Sequence, residues 1–66
     1  MKVILNGEPL DLALNVTVND VLEKIGAANK TVATVVNEEL VRSNDRANRR
    51  LQEGDRIEIL NFAGGG

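Results

Sequence analysis

Cysteine and histidine are both absent from this 66-residue chain, as are tryptophan and tyrosine. Without cysteine, no disulfide or zinc–thiolate cluster can staple so small a domain, and nothing points to an oxidising compartment. With neither residue present, the usual nucleophile–base pairs and metal sites are missing as well. Chemistry involving this chain is therefore expected to be done on it rather than by it, with no metal and no bound cofactor. Phe62 is the single aromatic residue, so stacking aromatics for single-strand binding are not present in quantity. The net charge of −2 also disfavours a phosphate backbone, whose binding needs clustered cations. No apolar run approaches the roughly 20 residues of a membrane span. Met1-Lys2 leads straight into Val3-Ile4-Leu5 and a turn, too short a stretch for a signal peptide. The expectation is a soluble, cytoplasmic protein that binds neither nucleic acid nor membrane.

What the chain has instead is many Val, Leu and Ile residues in two periods. A chain this short buries only about 60% of the surface its unfolded form exposes, so apolar packing must hold it. Lys2 to Leu5 alternates as a strand, with Val3 and Leu5 on one face and Ile4 on the other. Asn6-Gly7 suits a tight hairpin because both residues tolerate positive φ. The only proline, Pro9, can open the return strand without needing a ladder donor. There Leu10, Leu12 and Leu14 share one face.

The period then lengthens. Val18, Val21, Leu22 and Ile25 fall at i, i+3, i+4 and i+7, the stripe of an amphipathic helix. Thr17 is its expected N-cap, Asp20 the capping-box partner, and Gly26 the left-handed stop. Thr31 to Asn37 is rich in β-branched residues and predicts a third strand, nearer the middle of a sheet than its edge. Asn37-Glu38 turns into a short strand at Leu40-Val41. Ser43 to Arg50 reads as a polar loop with one helical turn, closed by Leu51. Glu53-Gly54-Asp55 is a turn, and Arg56 to Asn61 a final strand with Ile57 and Ile59 inward and Glu58, Leu60 and Phe62 outward.

The order is thus ββαβ(β)β in a single domain, 1–62, followed by a thin tail, 63–66. One helix packed across a mixed sheet of four to five strands is the economical way to bury these stripes. The first and last strands then lie side by side and parallel. This α+β arrangement is the β-grasp, or ubiquitin-like, fold.

Gly64-Gly65-Gly66 is a poor way to finish a compact body, because glycine gives up the most backbone freedom on ordering and has no side chain to pack. A tail lacking β-carbons can enter a narrow channel, and it carries one useful group, the Gly66 α-carboxylate. The plain alternative is a frayed end, since disorder concentrates at termini.

In this setting the chain resembles the small sulfur-carrier proteins of thiamin biosynthesis, and more distantly the small subunit of molybdopterin synthase and ubiquitin. The resemblance runs from Met1 to Gly66. It is carried by the N-terminal strand, Thr17-Val18 opening the helix, Val36-Asn37 ending the third strand, and Gly54-Asp55-Arg56-Ile57 leading to the glycine tail. One departure is Gly64, an additional glycine before the terminal pair Gly65-Gly66. The resemblance implies that an ATP-using activating enzyme adenylates the Gly66 carboxylate. Sulfur from a cysteine-derived persulfide, made by a cysteine desulfurase-type donor, would then replace AMP and leave a thiocarboxylate. A thiazole synthase would receive that sulfur. A molybdopterin-type carrier and a ubiquitin-like modifier, joined through Gly66 to a lysine, are the alternatives.

Ile4, Leu60 and Phe62 are candidates for a partner-docking patch on the outer sheet face beside the tail; isolated exposed apolar residues are the ordinary alternative. Arg46, Arg49 and Arg50 stand at helical spacing, either as a face for an acidic partner or as a solvated surface. Glu38, Glu39 and Glu58 are discounted as acid–base groups in a chain with no evident pocket.

Overall fold

The computed structural model describes residues 1–61, and its architecture follows from the turns. β1 (Lys2–Leu5) and β2 (Glu8–Asp11) form an antiparallel hairpin with Val3 opposite Leu10 and Ile4 opposite Pro9. Its two-residue turn places Asn6 at φ 49° and Gly7 at φ 86°, the doubly positive backbone whose twist matches right-handed strands. α1 (Val18–Lys24) follows, then β3 (Val32–Val36), β4 (Glu39–Val41), a 3-10 turn at Ser43–Asp45 and β5 (Arg56–Asn61). A second doubly positive turn, Asn37 at φ 51° and Glu38 at φ 72°, joins β3 to β4.

The helix begins and ends as its sequence dictates. Thr17 Oγ1 accepts from the Asp20 N–H at 3.2 Å, and Asp20 Oδ2 accepts from the Thr17 N–H at 2.9 Å. This reciprocal box satisfies donors that have no partner inside the helix. At the other end Gly26 takes φ 78°. The Ala27 N–H then reaches the Leu22 carbonyl at 2.8 Å and the Gly26 N–H the Glu23 carbonyl at 3.2 Å, the paired bonds of a Schellman stop. Leu22 and Ala27 are buried together, which supplies the apolar contact that accompanies such a stop.

The five strands form one sheet in the order β2-β1-β5-β3-β4. β5 is central, parallel to β1 (Ile4 beside Arg56, Leu5 beside Ile57) and antiparallel to β3 (Val32 opposite Asn61 through Val36 opposite Ile57). This is the expected β-grasp, with all five strands present. The core lies between α1 and one sheet face: Val18 and Val21 pack with Val3, Val36, Val41, Leu51 and Ile57. Leu22 packs with Ala27 and Val32, and half-buried Ile59 touches both groups. At about 25 cal/mol per Å² of apolar area, these seams outweigh what seven helical residues gain from propensity alone.

Two expectations of the apolar pattern are corrected. β2 ends at Asp11, so the alternation does not continue to Leu14, which is 73% exposed. Leu12 alone completes the inward row, its N–H bonded to the Met1 carbonyl at 2.7 Å. Ile25, placed on the helix stripe, is instead the C-cap residue and is exposed, because the chain has left the helical course there. No helix among the described residues is long and apolar enough to cross a membrane.

Candidate functional site

The site follows from the alternation of side chains across β5. Ile57 points into the core, so Arg56, Glu58 and Leu60 share the face turned away from the helix. Register supplies their neighbours: Ile4 stands beside Arg56, Val35 beside Glu58, and Ala33 beside Leu60. Val35 is also opposite Leu40 on β4. The outer face therefore carries an apolar group of Ala33, Val35, Leu40 and Leu60, with Leu40 60% and Leu60 55% exposed.

Ile4 and Leu60 do share this face, as the sequence suggests, but they are not neighbours. Ile4 pairs at the first residue of β5 and Leu60 is four residues further on, a separation of about 13 Å at strand rise. Ile4 instead lines an open cleft of about 590 Å³ with Gly7, Asn37, Glu38, Arg56 and Glu58, between the two hairpin turns. Parallel pairing is the cause: β1 meets only the beginning of β5. Phe62, Gly64, Gly65 and Gly66, together with the rest of the 63–66 tail, lie outside the described residues. The last described residue of β5, Asn61, is opposite Val32, the first residue of β3.

Sequence reasoning missed Ala33, Val35 and Leu40 as members of the outer face. The signal was present in the strict two-residue period of Val32-Ala33-Thr34-Val35-Val36, whose odd positions must oppose the buried even ones. It was masked by Thr34, a polar residue that is fully buried. Its hydroxyl donates to the Val41 carbonyl at 2.7 Å and accepts from Arg46 Nε at 3.2 Å, so burial leaves it satisfied.

The three arginines read at helical spacing do not form one face. Only Ser43–Asp45 is helical, as a 3-10 turn. Arg46 folds against β3 and its Nη2 donates to the Val32 carbonyl at 2.8 Å. Arg49 pairs with Glu39 at 3.7 Å, and Arg50 forms an isolated bridge with Thr17. Among the described residues no group of three His, Cys, Asp or Glu side chains could hold a metal ion. The arrangement is one of surfaces around a central strand.

Comparison with known proteins agrees with this geometry. The model of the ThiS family matches residues 3–66. The chain is 39% identical over 62 residues to the sulfur carrier protein ThiS of Thermus thermophilus, covering 94% of this chain and 95% of that protein. It is 35% identical over its full 66 residues to a thiazole synthase of Paramagnetospirillum magneticum, but spans 20% of that protein's length. A thiazole synthase of Magnetococcus marinus is 38% identical over 66 residues and again 20% covered. Among solved structures, the crystal structure of the thiamine biosynthesis protein ThiS from Geobacter metallireducens superposes with a TM-score of 0.84 at 28% identity, covering 100% of both chains. A five-stranded sheet with its last strand at the centre, one capped helix, and similarity along the whole described length place the chain in the ThiS family, the sulfur carrier proteins of thiamin biosynthesis.

Proposed function

We propose that the chain carries sulfur on its C-terminal carboxylate and delivers it to thiazole formation. The observation that supports this reading is the position of β5. It is the central strand, braced by β1 on one side and β3 on the other, and it leads directly into residues 62–66. A rigid strand of this kind aims a glycine tail without lending it side chains, as entry into a narrow active site requires.

The chemistry needs partners, because a carboxylate is a poor electrophile. In an adenylating enzyme, a Gly66 carboxylate oxygen attacks the α-phosphorus of ATP and pyrophosphate leaves. The terminal sulfur of a persulfide, supplied by a cysteine desulfurase-type donor, attacks the acyl carbon and AMP leaves. A second thiol then cleaves the resulting acyl disulfide, taking up the persulfide's inner sulfur as a disulfide and releasing the thiocarboxylate. On a thiazole synthase the sulfur bonds to the acceptor, the acyl carbon–sulfur bond breaks, and an oxygen from water or from the acceptor takes its place to restore the carboxylate. ATP, base and any metal belong to the partners. Relatives named thiazole synthase contain a region similar to all of this chain, which favours that enzyme as the acceptor. On the carrier itself, Leu60 and the adjoining Ala33, Val35 and Leu40 form the docking surface, with Ile4 at its far margin.

The test is intact mass after incubation with ATP, an activating enzyme and a sulfur donor. A gain equal to the difference between sulfur and oxygen is expected. An adduct to another protein would mark a modifier instead, and an unchanged mass would count against both readings.

A further inference from the structure

Three cations gather where β3 outruns its edge partner. The last residue of β4, Val41, is opposite Thr34, so β3 continues through Ala33 and Val32 with no strand on that side. The space there is an open basin of about 460 Å³ bordered by Lys30, Arg42, Ser43 and Arg46, with Ala33 and Leu40 among its apolar lining. Among the described residues, no Asp or Glu lines it.

The charge of Arg46 is fixed in place and, among the described residues, is not neutralised. Its two bonds go to neutral acceptors, the Val32 carbonyl and the Thr34 hydroxyl. Ion pairs among the described residues use other cations, Lys2 with Asp11 and Arg49 with Glu39. In a chain of net charge −2 with eight Lys and Arg residues, three cations with no acid among the described residues around them form a distinct positive field. The location matters as much as the sign. Ala33 and Val32 are opposite Leu60 and Asn61, so one strand, about 5 Å wide, separates the basin from the end of β5.

We infer that this basin is the landing site for a carboxylate-rich surface of the protein that acts on the tail. The inference rests on the carrier reading and adds the charge that its activating partner must present. A protein surface fits better than a small free anion. The basin is open, and Leu40 continues it into the apolar outer face. An apolar centre edged by charge is the anatomy of a protein interface. Cations at such a rim act chiefly on encounter, raising the association rate in a salt-dependent way. They speed arrival of the tail and leave its chemistry alone.

The test is the double charge reversal Lys30→Glu and Arg42→Glu, with Arg46 left intact. Neither reversed side chain makes a hydrogen bond or ion pair among the described residues, so the fold is retained, as circular dichroism would verify. The KM of the carrier for the adenylating enzyme should rise about tenfold at low salt with kcat unchanged. The difference should collapse between about 0.01 M and about 1 M salt as the screening length shortens. Lys24→Glu, on the helix, should change KM less than about twofold. An unchanged KM in the double variant overturns the inference, and so does an equal effect from Lys24→Glu. Saturable binding of inorganic phosphate with KM unmoved would make the basin a small-anion site instead. Calorimetric binding to the enzyme separates the two readings. A chain that binds in a salt-sensitive way yet never loads would bring down the carrier mechanism alone. A chain that loads with KM indifferent to the reversal would bring down the basin alone.

Discussion

Asn37 Nδ2 donates to Asp55 Oδ1 at 2.9 Å across 18 residues of sequence. The same asparagine accepts from the Arg56 N–H at 3.0 Å and donates its own N–H to the Arg56 carbonyl at 2.8 Å. Asp55 Oδ2 accepts from the Gln52 N–H at 2.8 Å, and the Asp55 carbonyl accepts from the Ile4 N–H at 2.9 Å. The β3–β4 turn, the turn before β5 and strand β1 are thus fastened together where β5 begins.

Removing either end of that bond should destabilise the chain. Asp55→Ala and Asn37→Ala are each expected to cost about 1–3 kcal/mol, because each removes hydrogen bonds made to or by the buried Asp55 carboxylate. In a domain this small each kcal/mol lowers Tm by about 4–8 °C. A double-mutant cycle should return a coupling above about 0.5 kcal/mol; additive losses would mean that the two residues act separately.

Thr34→Val should be costlier than its near-equal shape suggests. The substitution removes the side-chain donor to the Val41 carbonyl and takes an acceptor from Arg46. A loss of about 1–3 kcal/mol in denaturant unfolding is expected, and a neutral result would show that the Arg46 bond to Val32 suffices.

Glu38 sits at φ 72°, where a residue with a β-carbon is strained by about 1–2 kcal/mol. Glycine removes that strain but loses more entropy on folding. Glu38→Gly should therefore stabilise by about 0.5–1 kcal/mol, whereas Glu38→Val should destabilise. A lower midpoint for the glycine variant would contradict this account of the turn.

The docking surface predicts a split between binding and folding. Leu60→Asp and Leu40→Asp replace exposed side chains and should leave Tm within about 2 °C of the parent, as surface changes do. Each should raise the KM for the adenylating enzyme several-fold. Ile4→Asp, at the far margin, should do less; an equal effect would extend the surface to the cleft.

The tail predicts loss of loading without loss of fold. Deleting Gly66 removes the acylated residue, and Gly65→Leu adds a branched side chain to a thread that must pass through a narrow channel. Both should abolish the sulfur-for-oxygen mass gain while the urea midpoint stays put. Normal loading of the Gly65 variant would dispose of the channel argument.

Much of the fold was legible because it rests on short-range physics. Asn6-Gly7 and Gly26 announce positive φ, Asn37-Glu38 announces a turn, Thr17 and Asp20 announce a capped helix, and the Val32–Val36 run announces a strand. Each depends on atoms within a few residues. The candidate site was only partly legible. Leu60 reads directly as an outward residue of β5, but which residues surround it depends on the neighbouring strands. Thr34 concealed the period that would have brought in Ala33, Val35 and Leu40.

By itself, then, the sequence determined the elements, their order, the two hairpin turns and the chemistry of a chain without cysteine or histidine. Tertiary structure alone decided that Arg46 turns inward to close the edge of β3, that Leu14 faces solvent, and that Ile4 stands well away from Leu60. It also joined Val36-Asn37 to Gly54-Asp55, two stretches that read as separate signals along the chain. The reason is physical. Turns and caps are set by local dihedral preference, whereas strand register and side-chain bonds to distant backbone exist only once remote segments are packed together.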